Sequence, residues 1–312
     1  MIAPGKADPG AKILFIQNCN AMWSFSFFIA ILYETKEGSL LSSDQITSRE
    51  NSVIKNAVKL LRCSKARKKQ QAFFIEGLRL CLDAAFSNIE IIHLFYTKKV
   101  KEKWADSLDR LIKSACKAHE ISETLSGFLS DTTHPQGIFC ICKIPNRLLD
   151  FHSVPEKAKL IALETIQDPS NLGTILRTAE ALGMDGVILS DDCCDVYSPK
   201  VLRGSMGAVF RIPFTIEKNL PNTIRTLTES GFSSYASVPD QSGRPITEFQ
   251  FSERTLVAIG NEGNGLTNPA INACSGKITI PMLGRSESLN AAVAATIIMW
   301  EITFKSLGGN LL

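Results

Sequence analysis

Three separated stretches carry residue types that could hold a small molecule and handle a proton. DPSNLGTILRTAEALGMDGVILSD (168–191) has a helix start signal in Pro169, Ser170 and Asn171. One apolar stripe follows, through Leu172, Ile175, Leu176, Ala179 and Leu182, and stops at Gly183. At about 100° per residue Arg177 points away from that stripe, either as a solvated cation or as a guanidinium offered to a cleft or a neighbouring subunit. AIGNEGNGLTNP (258–269) sets a small apolar run against a loop of glycines, asparagines and a glutamate. The loop lacks a G-K-[ST] ending, which argues against a nucleoside triphosphate cradle, and its position along the chain does not fit the dinucleotide fingerprint. At the carboxyl end of a buried strand it is either an ordinary turn or a place where a ligand approaches the backbone closely. In KITIPMLGRSESLNAAVAATIIMWEI (277–302) a strand is expected to end at Pro281 and a helix to begin near Ser288. Ser288 and Asn290 can cap that helix or face a ligand.

The elements that must position these residues read as two α/β regions. The first globular segment starts near Ile46: a helix with apolar spacing through Val53, Ala57, Leu60 and Leu61, a strand in AFFIEG, and a helix from Leu78 to Phe86. A strand in IEIIHLFYT, a charged helix from about Trp104 to His119 and a strand in GIFCICKIP complete it. A polar stretch with two prolines, PNRLLDFHSVPEKAK (145–159), suggests a linker. Beyond it LIALETI, GVILS, SSYASV, TLVAIGNE and KITIPM are short Val- and Ile-rich runs, most of them separated by helical patterns, as buried parallel strands would be. The boundaries expected are an extension over 1–45, a small domain over 46–145, a linker over 146–158 and a larger domain over 159–312.

A chain of 312 residues can bury a sizeable core, and its net charge of +3 leaves any affinity for nucleic acid to local clustering. Lys55, Lys59, Arg62, Lys65, Arg67, Lys68 and Lys69 supply such a cluster with no acidic residue between them. That one-sign run is either a phosphate-contacting face or an ordinary charged surface, and no aromatic platform interleaves it. Nine cysteines without a C-x-x-C pair, and only four histidines, argue for reduced core thiols in an intracellular protein and against a zinc site. The uncharged stretch 13–33 is broken by polar residues and has neither a basic start nor arginines. Three readings stay open for 1–45: a loosely packed extension or an early start upstream of Met22, a membrane anchor or export signal, and a real structural element.

Taken in order, Asn171 with Arg177, KVLRGSMGAVFRIP (200–213), GNEGNGL (260–266) and IPMLG with SLN (280–290) resemble the motifs of the SpoU/TrmH family of RNA 2′-O-ribose methyltransferases, of the SPOUT class. The likeness covers about 159–305, and the segment from Ile46 to about Pro145 is similar to the substrate-binding domain often fused ahead of it, itself like a ribosomal-protein RNA-binding fold. The resemblance implies an α/β fold with a parallel sheet and a deep trefoil knot, an exception to the rule that chains avoid threading loops. It implies S-adenosylmethionine as methyl donor, contacted by Gly260, Ile280 and Leu289 in a pocket shaped by Asn261, Glu262, Gly265 and Met282. Arg177 would position the ribose hydroxyl and adjacent phosphate across a homodimer interface, and Asn171, Glu262, Ser288 and Asn290 would orient substrate and cofactor. No metal and no membrane are implied, and a cytoplasmic location is expected. Ribosomal RNA is the favoured substrate over transfer RNA; a noncatalytic RNA-binding or ribosome-assembly protein that keeps the fold is the alternative of a different class.

Overall fold

The computed structural model describes residues 46–145, 149, 154–239 and 242–306. The expectations for 1–45 and most of the expected linker 146–158 fall outside these residues. Among the described residues no helix is long and apolar enough to cross a membrane.

The first region opens with α1 (Ser52–Arg62), capped by Asn51, whose side chain accepts from the Val53 amide, and continues through α2 (Ser64–Gln70) and β1 (Ala72–Glu76). After α3 (Leu78–Phe86) come β2 (Ile91–Thr97), α4 (Lys98–Lys103), α5 (Ala105–Ser114), β3 (Ala115–Ile121), α6 (Glu123–Leu129) and β4 (Ile138–Lys143). Its four-stranded sheet runs β1-β4-β2-β3, with β4 antiparallel to both neighbours and β2 parallel to β3. The charged helix expected from Trp104 to His119 is corrected here. It ends at Ser114, and Ala115–Ile121 pairs in register with Ile91–Thr97, which buries Ala115, His119 and Ile121 at an edge where charged residues can face water.

The second region alternates β5 (Ala158–Leu163), α7 (Pro169–Ala181), β6 (Gly186–Ser190), α8 (Pro199–Ser205), β7 (Phe214–Glu217), α9 (Leu220–Glu229) and β8 (Ser233–Ser237). It ends with β9 (Arg244–Pro245), β10 (Arg254–Ile259), α10 (Asn268–Ala273), β11 (Gly276–Thr279) and α11 (Ala291–Ser306). All seven strands are parallel, in the order β7-β6-β5-β10-β8-β11-β9. β7 and β9 are additions to the sequence reading. β11 stops at Thr279, before Pro281, and α11 starts at Ala291, after Ser288.

Leu172, Ile175, Leu176 and Ala179 of α7 are fully buried, and each Leu or Ile there contributes about 2 kcal/mol of burial. Chain order reverses between β5 and β10, which pair through Leu163↔Ile259. Their carboxyl ends therefore lie side by side, at the kind of switch point where open α/β sheets take ligands. One apolar core runs through both regions, from Phe73 and Ile91 to Ile175, Phe210 and Met299. Phe73 stacks on Tyr197 with ring centroids 4.7 Å apart, joining the two regions directly.

Candidate active site

The loop after β10 folds back on itself. Asn261 and Gly265 exchange backbone hydrogen bonds of 3.0 Å, and Gly265 takes φ +68°. A Cβ on Gly260 would lie 2.1 Å from the Gly265 carbonyl carbon, so the turn closes only over a residue with no side chain. Asn261 braces the interior: its Oδ1 accepts from the amides of Gly263 (2.9 Å) and Asn264 (3.1 Å). Its Nδ2 donates to the Thr165 carbonyl (2.8 Å). At the far end, the buried Glu164 carboxylate accepts from the Thr267 amide (2.7 Å) and hydroxyl (2.8 Å).

Glu262 leaves this loop to meet the start of α7. Its carboxylate accepts from the amides of Gln167 (3.3 Å) and Asp168 (3.2 Å) and from Asn171 Nδ2 (2.9 Å). Burial works to raise its pKa, but these hydrogen bonds, the one from Asn171 foremost, outweigh burial and hold it below the usual carboxylate range. A helix N-terminus favours that negative charge. Asp168, the N-cap of α7, accepts from the Ser170 amide (2.8 Å), and Lys200 lies 3.7 Å from it.

Asn171 is buried, and its other end reaches the third stretch: Asn171 Oδ1 accepts from Asn290 Nδ2 at 3.0 Å. Asn290 also starts α11, with Oδ1 accepting from the amides of Ala292 (2.9 Å) and Val293 (3.3 Å). Asn290, then, both caps the helix and faces the site. Ser288 does not cap α11; it sits exposed in the preceding coil. Ile280 and Met282 are half-buried and Leu289 is 37% exposed.

A groove of about 360 Å³ opens between α7 and α11, lined by Ser170, Asn171, Thr174, Asn290, Val293 and Thr296 among others. Arg177 is exposed and follows the groove residues Ser170 and Thr174 at the i, i+4, i+7 spacing that keeps residues on one helix face. The structure thus joins Asn171, Glu262, Asn261 and Asn290 in one hydrogen-bonded chain, while Arg177 lies exposed one turn beyond Thr174, outside the residues that line the groove.

The basic run divides. Lys55, Lys59 and Arg62 share one exposed face of α1, and Lys65, Lys68 and Lys69 are exposed on α2. Lys55 lies 2.5 Å from Glu50. Arg67 is corrected: it is 5% exposed and faces inward. Its guanidinium donates to the Leu60 (2.6 Å) and Leu61 (3.1 Å) carbonyls at the end of α1 and pairs with Asp195 at 2.7 Å. Four of its five N–H donors face these partners, and burial keeps the guanidinium from a phosphate on the surface.

Around this site lie residues the sequence reading did not single out. Thr165 takes φ +56°, a left-handed conformation that costs a β-branched residue about 1–3 kcal/mol. Ser190 and Asp192 hold it, as Glu164 holds Thr267. Pairing of residues so far apart in the chain leaves no local pattern to find. Among the described residues no group of three or more His, Cys, Asp or Glu could hold a metal ion.

The SpoU rRNA Methylase family profile matches residues 158–300 and that of the MRM3-like substrate binding domain matches 51–140. An uncharacterized tRNA/rRNA methyltransferase of Synechocystis is 33% identical over 84% of this chain and 94% of its own. The 23S rRNA (guanosine(2553)-2′-O)-methyltransferase RlmP of Bacillus subtilis is 31% identical over 83% and 98%. Among solved structures, the AdoMet-bound rRNA methyltransferase of Sinorhizobium meliloti superposes with a TM-score of 0.74 at 26% identity, covering 86% of this chain and 99% of that one. The SpoU methyltransferase AviRb of Streptomyces viridochromogenes gives 0.72 at 28% identity, over 83% and 99%.

Proposed function

The chain belongs to the SpoU rRNA methylase family, and from that premise we propose that it methylates a ribose 2′-hydroxyl of ribosomal RNA, with S-adenosylmethionine as donor. The observation that carries the reading is the Glu262–Asn171–Asn290 chain, which ties together three stretches more than a hundred residues apart at their extremes. The residues present fit the cofactor. The Gly260 cradle would be filled by any side chain, and Ile280 and Met282 offer half-buried apolar surface at the end of β11. Gly260, Ile280 and Leu289 would contact it, with Asn261, Glu262, Gly265 and Met282 shaping the pocket.

When bound, S-adenosylmethionine supplies an electrophilic methyl carbon on a sulfonium. The chain's own residues align a weak nucleophile with it. Arg177 holds the ribose hydroxyl and adjacent phosphate by charge and hydrogen bonding; it stays protonated and so acts by positioning rather than as a base. Glu262, kept ionised, and Asn290 fix the orientation of Asn171, and Ser288, exposed in the coil before α11, is read as orienting the substrate. Lys55, Lys59, Arg62, Lys65, Lys68 and Lys69 contact RNA phosphates over a substrate-binding domain at 46–145, with the methyltransferase domain at 159–312.

The active form is a homodimer that shares the site across its interface. α11 supports this: its inner face is buried, while Val293 is 47% and Trp300 51% exposed on the outer face beside the groove. The trefoil knot and a cytoplasmic location belong to the same reading. The test is Arg177→Ala, expected to lower methyl transfer at least about a hundredfold while cofactor affinity, by calorimetry, stays within about twofold. Equal activity in the variant and the parent would refute the assignment.

A further inference from the structure

Asp192 lies on the turn after β6, just past the 168–191 stretch, and it holds the backbone on which the loop at 260–265 rests. We propose that Asp192 is a positioning residue for the methyl donor: through Ser190 and Thr165 it sets the shape of the loop that receives S-adenosylmethionine. The proposal rests on the reading of that loop given above.

The Asp192 carboxylate bridges two hydroxyls. Ser190 Oγ donates to Oδ1 at 2.5 Å and Thr165 Oγ1 to Oδ2 at 2.7 Å. The Thr165 amide in turn donates to Ser190 Oγ at 2.8 Å, so the threonine is gripped at backbone and side chain by one buried serine and one carboxylate. Gln167 Nε2 closes the turn on the Asp192 carbonyl at 2.6 Å. The grip has a purpose, because Thr165 stands at φ +56°, where a β-branched residue does not stay unaided. This backbone angle aims the Thr165 carbonyl at Asn261 Nδ2, and Asn261 is the brace of the loop, accepting from Gly263 and Asn264. Released from Asp192, Thr165 would relax toward extended backbone, turn its carbonyl away and leave Asn261 Nδ2 only its longer contact of 3.5 Å to Glu262. The Ser190 hydroxyl, opposed by burial and helped by Thr165, holds the Asp192 carboxyl below its ordinary range, which keeps it an acceptor at neutral pH.

A glycine adopts this backbone angle without help. Thr165→Gly therefore separates a positioning role from a merely stabilising one. Titration with S-adenosylmethionine should show Asp192→Ala binding about tenfold more weakly, the scale of one hydrogen bond to a charged group. KM for the donor should rise by a similar factor, with kcat at saturating donor and KM for RNA within about twofold. Thr165→Gly should bind like the parent, and the double variant should recover to within about threefold of it. Asp192→Asn, which keeps the size of the side chain, serves if Asp192→Ala does not fold. Undiminished affinity in the Asp192 variants, or a double variant as weak as Asp192→Ala, overturns the proposal. Should the parent itself bind no donor, the reading of the loop fails instead. Amide exchange over 261–265 in free protein then decides the positioning role: faster exchange in Asp192→Ala that Thr165→Gly reverses supports it, and unchanged exchange overturns it.

Discussion

Between Gly260 and Thr267 the chain turns back through hydrogen bonds within the loop and to Glu164, Thr165 and Asn171. Between Pro281 and Leu289, on the other side of Asn171, every residue but Met282 is exposed. The two loops flank one site, but the first is organised before any ligand arrives, while the second owes its position to Thr279 at one end and Asn290 at the other. Under the proposed reading the ordered loop would offer its shape without the cost of ordering on binding, whereas the exposed one would gain its order from the donor.

The largest effect is expected where the ordered loop is broken outright. Gly260→Ala places a carbon inside the Gly265 backbone, and cofactor affinity should fall at least about a hundredfold by calorimetry, the scale of a forced backbone rearrangement in a packed site. Affinity close to the parent's would mean the loop is not preorganised. Hydrogen exchange sharpens the contrast next: amides of 261–266 should be protected in free protein, whereas those of 282–289 should gain protection only when S-adenosylmethionine is added. Equal protection of both loops in free protein removes the distinction.

A smaller effect comes from pH. The folded pKa of Glu262 lies below its ordinary value of 4.5, so its contribution to stability is fully present above that value and is lost as pH falls through the folded pKa. In acid melts Glu262→Gln should be less stable than the parent at neutral pH and should flatten this part of the parent's loss below pH 4.5; identical acid profiles would show that the Asn171 bond does not hold the carboxylate. Smallest of all, Ser288→Ala in the open loop should change cofactor affinity by less than about threefold, since it caps nothing. A loss as large as that of Gly260→Ala would equate the two loops.

Much of the fold was legible because it is local. The α7 stripe, the buried strands and the Leu78–Phe86 helix follow from periodicity alone. What escaped has nonlocal causes. Ala115–Ile121 mixes charged and small residues that suit a helix surface as well as an edge strand, and only its pairing with β2 decides. Arg67 looks like its six cationic neighbours until Asp195, 128 residues away, is placed against it. Thr165 could not be found by propensity, since propensity disfavours the conformation it holds. Asn290 was visible as either a cap or a site residue; it caps α11, and its amide nitrogen also donates to Asn171.

The Arg67–Asp195 pair and the Phe73–Tyr197 stack also bear on how a target is chosen. They fasten the end of the lysine-bearing face to the turn beside α7, so the interval from α1 to Asn171 is fixed by packing rather than by a tether. An RNA lying along α1 would bring to Asn171 only a nucleotide at one set reach. Selection would then work like a gauge laid against a folded polymer, measuring separation where a base-reading surface would spell out letters.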